Sequence, residues 1–361
     1  MSSRPERVHT VDYHTGGEPF RIVEEPQPAL LGEGLSVLDR REVALHDPQA
    51  QWLRALLCSE PRGHADMYGG FVVPPDDAGA HLGVLFWHKD GFSTACGHGT
   101  IALGTWAVES GRVPAPADGE SEVVIDVPSG RVAAVVRTAG GRVVSARFRN
   151  VASYAVARAV TVDLPDRSVS VDIGYGGAMY AVLPASAVGL RVASADYTAL
   201  IARGRQIRDT LNAAGAAEHR SDPRLSGIYG TIFTHDLTPD QGSSEPHVRE
   251  AVAATEAAGG RVLWQRNVTV FADGEVDRSP CGSGTSARVA LLAAAGELGD
   301  GDLLVHSSIV GSTFTARVAG HTEAEGAVAV IPEVTGTAYR VGESTFTVDP
   351  ADPLVPGFVL R

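Results

Sequence analysis

The feature that most limits how this chain can fold is a short motif carried twice. Cys96-Gly97-His98-Gly99-Thr100-Ile101-Ala102 and Cys281-Gly282-Ser283-Gly284-Thr285-Ser286-Ala287 align without a gap, 281 against 96, and share the Cys, both Gly, the Thr and the Ala. Each motif opens a stretch of helix formers, and each reaches a glycine fifteen residues after its cysteine, Gly111 and Gly296. That spacing predicts two helices of equal length, each started at a cysteine and stopped at a glycine. A weaker echo lies upstream, Gly16-Gly17-Glu18-Pro19-Phe20 against Gly176-Gly177-Ala178-Met179-Tyr180, 176 against 16. The chain reads as two similar halves, each presenting one cysteine.

A cysteine at a helix N-terminus meets outward-pointing amides and the positive end of the helix dipole. That setting favours thiolate and lowers a thiol pKa from about 8.5 to between roughly 3.5 and 7.5. Two thiols on matched helix ends suit one particular chemistry, because one can take a proton from a carbon while the other gives one to the opposite face. The result is inversion of a stereocentre. If the substrate is an amino acid, charge develops on its carboxylate, and the backbone N–H groups of Gly97, His98, Gly282 and Ser283 are the candidates to hold it.

The chain has 361 residues and 44% hydrophobic content, enough for a sizeable core and for two domains. Its formal net charge of −13 argues against nucleic acid or an anionic membrane as partner, since either needs a basic face. Met1 to Thr10 holds no apolar stretch of signal-peptide length, so a cytoplasmic enzyme is expected. Three cysteines with no Cys-x-x-Cys pair fit free thiols in a reducing compartment and give no structural zinc site. Lys89 is the single lysine, in a polar turn with no phosphate-binding loop beside it, which argues against a pyridoxal enzyme. No cofactor and no metal are expected.

Short strands are predicted over most of the chain, with helices at 47–58 and 195–214 besides the two that follow the cysteines. Trp52, Leu53, Leu56 and Leu57 form the apolar face of the first, and Cys58 continues it as a core residue. Leu200, Ile201, Ile207 and Leu211 point inward from the other. Residues 236–261 read as a polar excursion between strands, and the crossing between halves falls near Pro128-Ser129-Gly130. Many strands around few helices is an α+β pattern.

Four strings carry a resemblance: Met67-Tyr68-Gly69-Gly70, Ala95-Cys96-Gly97-His98-Gly99, Asp172-Ile173-Gly174-Tyr175-Gly176-Gly177 and Asp277-Arg278-Ser279-Pro280-Cys281-Gly282-Ser283-Gly284. They resemble the proline racemase family, from about His14 to the C-terminus. The resemblance implies a diaminopimelate-epimerase-like α+β fold, two pseudo-symmetric barrel-like α/β halves each wrapped around a central helix. The C-terminal strand then returns to the first half, giving residues 1–128 with 335–361 around Cys96 and residues 129–334 around Cys281. It implies cofactor-independent inversion at the α-carbon of proline or hydroxyproline by a cysteine pair, in a homodimer. It also implies substrate contacts for Asp277, with the amine, and for His98 and His219. The family includes trans-3-hydroxy-L-proline dehydratases, which carry threonine at the second cysteine position. Cys281 favours inversion, while Gly16 and the Gly176-Gly177-Ala178-Met179-Tyr180 string lean toward the dehydratase branch.

His64 reads as a structural hydrogen-bonder in its turn. Both glycine loops also match the G-x-G-x-x-A dinucleotide fingerprint, but a polar, proline-bearing loop precedes Gly282 where a dehydrogenase needs a strand leading straight into the helix. A non-catalytic protein that binds an imino acid between two helix ends would need no thiols.

Overall fold

The computed structural model describes residues 4–24, 28–243 and 245–360. They divide into two compact units, Met1–Ala146 with Thr337–Arg361, and Arg147–Gly336.

The first unit opens with a hairpin of β1 (Arg7–Thr15) and β2 (Glu18–Val23), which turns over Gly16 and Gly17, both at positive φ. Two helices, α1 (Val37–His46) and α2 (Pro48–Cys58), then carry the chain to β3 (Gly69–Val73), parallel to β2. Asp47 caps α2 through the amides of Gln49 and Ala50, Pro48 presets its first turn, and Trp52, Leu53, Leu56, Leu57 and Cys58 are buried. β4 (Leu82–His88) and β5 (Gly91–Phe92) follow antiparallel, then α3 (Gly97–Glu109). β6 (Gly119–Val127) lies parallel to β4 and makes a hairpin with β7 (Gly130–Ala139), after which β8 (Arg142–Arg149) carries the chain out of the unit. The late strand β18 (Ala338–Thr347) pairs with β1 along its whole length.

The second unit repeats the plan. β9 (Ser153–Asp163) flanks a hairpin of β10 (Ser168–Tyr175) and β11 (Met179–Pro184). α4 (Tyr197–Ala213) crosses to β12 (Ile228–Asp236), parallel to β11. α5 (Pro246–Ala257), β13 (Val262–Phe271) and the short return strand β14 (Glu275–Asp277) lead to α6 (Gly282–Ala294). β15 (Leu303–Ser307) runs parallel to β13, and β16 (Thr313–Ala324) and β17 (Ala327–Gly336) complete the unit.

In each unit one helix is wrapped by sheet. Every residue of α3 from Gly97 to Ala107 is buried, against β1, β2, β6, β7 and β18. α6 is buried over Gly282–Ala287 and Val289–Leu292, against β9, β10, β11, β16 and β17. A helix that is apolar or small all round needs such an enclosure. Both have 13 residues. Both stop the same way, with Gly111 at φ 75 and Gly296 at φ 71, the left-handed conformation that glycine adopts without strain.

The turn near 128, where the sequence put the crossing, is the tight turn of the β6–β7 hairpin inside the first unit. The division falls within β8, between Ala146 and Arg147. The outermost positions, 1 and 361, lie outside the described residues. The 236–261 excursion contains a helix, α5, which packs Val248, with Ala251 and Val252 partly buried beside it, against Leu303 and Val305 of β15. No helix among the described residues is long and apolar enough to cross a membrane.

Candidate active site

Cys96 is the N-cap of α3, with an ordinary extended backbone at φ −155 and ψ 101. Its sulfur takes the place of a capping hydroxyl and accepts the Gly99 amide at 3.2 Å. The close approach depends on glycine, because a Cβ at position 99 would stand 2.7 Å from Sγ and 2.4 Å from the Phe20 ring. The His98 ring lies beside the thiol, with Nδ1 at 3.4 Å and Nε2 at 3.5 Å from Sγ, so the sulfur is directed at neither nitrogen in particular. Edge-to-face contacts with Tyr68, centroids 4.9 Å apart, and Phe20, 5.9 Å apart, fix that ring. The His98 carbonyl accepts from Thr15 Oγ1 at 2.9 Å, which ties the end of β1 to the first turn of the helix.

Cys281 is the matching N-cap of α6 on a different backbone. Its φ of 62 is left-handed, which for a non-glycine residue costs on the order of 1–3 kcal/mol. The Gly284 amide faces the sulfur from the same relative position as Gly99 without closing a full cap hydrogen bond. Here too a Cβ would intrude, 2.9 Å from Sγ. The loop leading in is bonded to itself. Asp277 Oδ1 accepts the Ser279 amide at 2.8 Å and its hydroxyl at 2.7 Å, and Ser279 Oγ accepts the Cys281 amide at 3.1 Å. β14 supplies Asp277, in register with Thr269 on β13.

The electrostatics of the second thiol are one-sided. Burial pushes its pKa well above the ordinary thiol range, and the nearby Asp277 carboxylate pushes it further. The Gly284 amide and the Thr269 hydroxyl oppose this only in part. Burial and Asp277 together favour the protonated thiol at Cys281.

Tyr180, on β11, is the residue that the sequence reading missed. Its Oη lies 2.7 Å from Ser283 Oγ and 4.0 Å from Cys281 Sγ, fully buried, with its own pKa raised by burial and then by the thiol. A signal was present in the upstream echo. The alignment of Gly16 with Gly176 sets Phe20 against Tyr180, and the motif alignment sets His98 against Ser283. In each unit the first of these residues touches the second.

Within the first unit the structure thus brings together Cys96, Gly97 and His98. Within the second it brings together Cys281, Gly282, Ser283 and Asp277. His219 keeps other company: its ring packs on Tyr175 at 5.2 Å, Nδ1 accepts the Asp222 amide at 3.3 Å, and the Glu325 carboxylate is 3.9 Å away. His64 accepts the Asp66 amide at 3.3 Å inside its turn. Lys89 sits in the turn between β4 and β5 with its ammonium on Asp90 at 2.7 Å. The strand that precedes the second glycine loop is the three-residue β14, antiparallel to β13, and not the parallel strand of a βαβ unit that a dinucleotide site requires.

Two sheet-wrapped helices, each begun by a buried thiol, give this chain an epimerase-like α+β fold. It belongs to the proline racemase family: residues 10–359 match the family described as Proline racemase. A trans-3-hydroxy-L-proline dehydratase of Bacillus cereus is 38% identical, over 97% of this chain and 97% of that protein. A 3-hydroxyproline 2-epimerase of Burkholderia multivorans is 42% identical, over 98% of each. Among solved structures, a hydroxyproline epimerase from Agrobacterium vitis with bound trans-4-OH-L-proline superposes with a TM-score of 0.86 at 27% identity, covering 98% of this chain and 96% of that one.

Proposed function

We propose that this enzyme inverts the α-carbon of a hydroxyproline, with Cys96 and Cys281 as the two acid–base groups. The observation that carries the reading is a thiol, not a hydroxyl, at the N-cap of α6, buried beside Asp277 where the protonated form is favoured. In the forward step the Cys96 thiolate forms its S–H bond as the α-C–H bond breaks, and the electron pair moves into the substrate carboxylate. Cys281 then gives its proton to the opposite face, leaving Cys96 as thiol and Cys281 as thiolate. The amides of Gly97, His98, Gly282 and Ser283 hold the carboxylate where that charge develops, and Asp277 holds the ring nitrogen. The names of relatives at 38–42% identity support 3-hydroxyproline as substrate, and the bound ligand of the Agrobacterium vitis protein, at 27%, supports the 4-hydroxy isomer less strongly.

Water loss from trans-3-hydroxy-L-proline is the second reading, favoured by the dehydratase names among the same relatives. Both reactions begin with removal of the α-proton and part afterwards, at reprotonation or at departure of the β-hydroxyl. One incubation with trans-3-hydroxy-L-proline in deuterium oxide separates them by NMR. Inversion yields the cis-D epimer carrying deuterium at the α-carbon, and dehydration yields a cyclic imine without epimer. We expect the epimer, at an unchanged rate after dialysis against a chelator. Absence of α-exchange with proline and with both hydroxyprolines overturns the proposal, and activity that is lost on chelation and restored by zinc overturns its cofactor independence.

A further inference from the structure

The left-handed backbone of Cys281 is held from behind by a buried polar group that no step above uses. The Pro280 carbonyl accepts Asn267 Nδ2 at 3.0 Å and Thr285 Oγ1 at 3.0 Å. Both donors also meet one imidazole: Asn267 Nδ2 lies 2.8 Å from His306 Nε2, and Thr285 Oγ1 lies 2.8 Å from His306 Nδ1. Asn267, Thr285 and His306 are each 0% exposed.

One arrangement of protons satisfies this group. The threonine has a single hydroxyl proton and gives it to Pro280, so it accepts from Nδ1–H. The Asn267 amide gives one N–H to Pro280 and the other to a bare Nε2. A flipped amide sets Oδ1 against the Pro280 oxygen, and the orientation that avoids this leaves Oδ1 without a partner. An imidazolium sets N–H against N–H. Burial, reinforced by Arg288, pushes the His306 pKa down to about 3, so the neutral ring persists through the neutral range.

The first unit shows what the group changes. Thr100, which matches Thr285, donates to the carbonyl of Cys96 itself at 2.8 Å, and Cys96 has φ −155. Thr285 reaches one residue further back, to Pro280, and Cys281 has φ 62. The Pro280 carbonyl belongs to the peptide plane that sets φ at Cys281, so fixing that oxygen aims the Cys281 side chain.

We propose that His306 is a positioning residue: through Asn267 and Thr285 it clamps the Pro280 carbonyl and thereby holds the Cys281 thiol in its working direction. For its effect on turnover, this rests on Cys281 being an acid–base group of the reaction. The test compares Thr285→Val, Thr285→Ser and His306→Phe with wild type. Three quantities are read: kcat, KM, and the alkylation rate of Cys281 by iodoacetamide relative to Cys96 in the same molecule, from peptide masses. In Thr285→Val kcat is expected to fall about 10²-fold, the scale of a misplaced reacting group, with KM little changed. Relative alkylation of Cys281 is expected to rise severalfold, and Thr285→Ser, which keeps the hydroxyl, to restore both values. His306→Phe moves them in the same direction, and if it does not fold, Thr285→Val decides. A folded Thr285→Val with wild-type alkylation at Cys281 overturns the clamp, whatever its kcat. Altered alkylation with unchanged kcat keeps the clamp and overturns the role of Cys281 in turnover.

Discussion

Cys96→Ala and Cys281→Ala are each expected to lower net inversion by about 10² to 10⁴, the range of a positioned acid–base group. A thiol at the end of one helix serves one face of the substrate, so neither can both remove the proton and return it on the far side. The losses should therefore be similar despite unlike surroundings, an N–H-capped sulfur in one case and a carboxylate-flanked thiol in the other. Each single variant is expected to retain α-proton exchange with solvent on the face served by its remaining thiol. The measurement is optical rotation for inversion and NMR for deuterium uptake, on the same samples. If either variant keeps more than about a tenth of wild-type inversion, a barrier change of only about 1.4 kcal/mol, the paired-thiol reading is wrong.

Cys281→Thr is expected to cost inversion at least about 10² and to leave or raise water loss from trans-3-hydroxy-L-proline. A threonine hydroxyl is a far weaker acid than a thiol and returns a proton to the α-carbon poorly. Once the α-proton has gone to Cys96, departure of the β-hydroxyl needs no donor at that carbon. Threonine is also β-branched, and at φ 62 a β-branched residue is a genuine outlier, so a lower melting temperature should accompany the change in chemistry. Wild type and variant are compared on both hydroxyprolines, by polarimetry for epimer and by trapping of the cyclic imine. A wild-type enzyme that forms the imine rapidly and produces no epimer shows that the thiol at 281 does not decide the reaction.

Much of the fold was legible because its organising feature is local. The α3 and α6 boundaries follow from a cysteine, a run of helix formers and a terminal glycine, all within fifteen residues. α2 was legible from its apolar face, and the structure adds the Asp47 cap and Pro48 at its start. α1 and α5 were not. In α1 the buried positions Val37, Arg40 and Ala44 keep helical spacing but the middle one is an arginine, and in α5 the apolar face is the short set Val248, Ala251 and Val252, of which only Val248 is fully buried. β9 was hidden by a break in its alternation, where Ala159 takes φ 53. In the candidate site the cysteines, Asp277 and the glycine loops announce themselves by motif. Tyr180 and His306 reach Ser283 and Thr285 across 103 and 21 residues of sequence, contacts that only the tertiary fold creates. Nothing in Pro280-Cys281-Gly282 marks the middle residue for a left-handed backbone, since glycine is the residue that normally signals one.

The unequal backbones of the two cap cysteines bear on how such an enzyme diversifies. Cys96 sits on relaxed extended backbone and caps its helix with its own sulfur, so on the proposed mechanism replacing it removes an acid–base group and a structural cap together. Cys281 makes no full cap bond, and its loop is organised by Asp277, Ser279 and the Pro280 carbonyl. A substitution there leaves those supports, and the whole first thiol, in place. On the proposed mechanism the two matched caps are therefore unequal targets for change, and Cys281→Thr is the substitution expected to turn the common α-carbanion from reprotonation toward water loss.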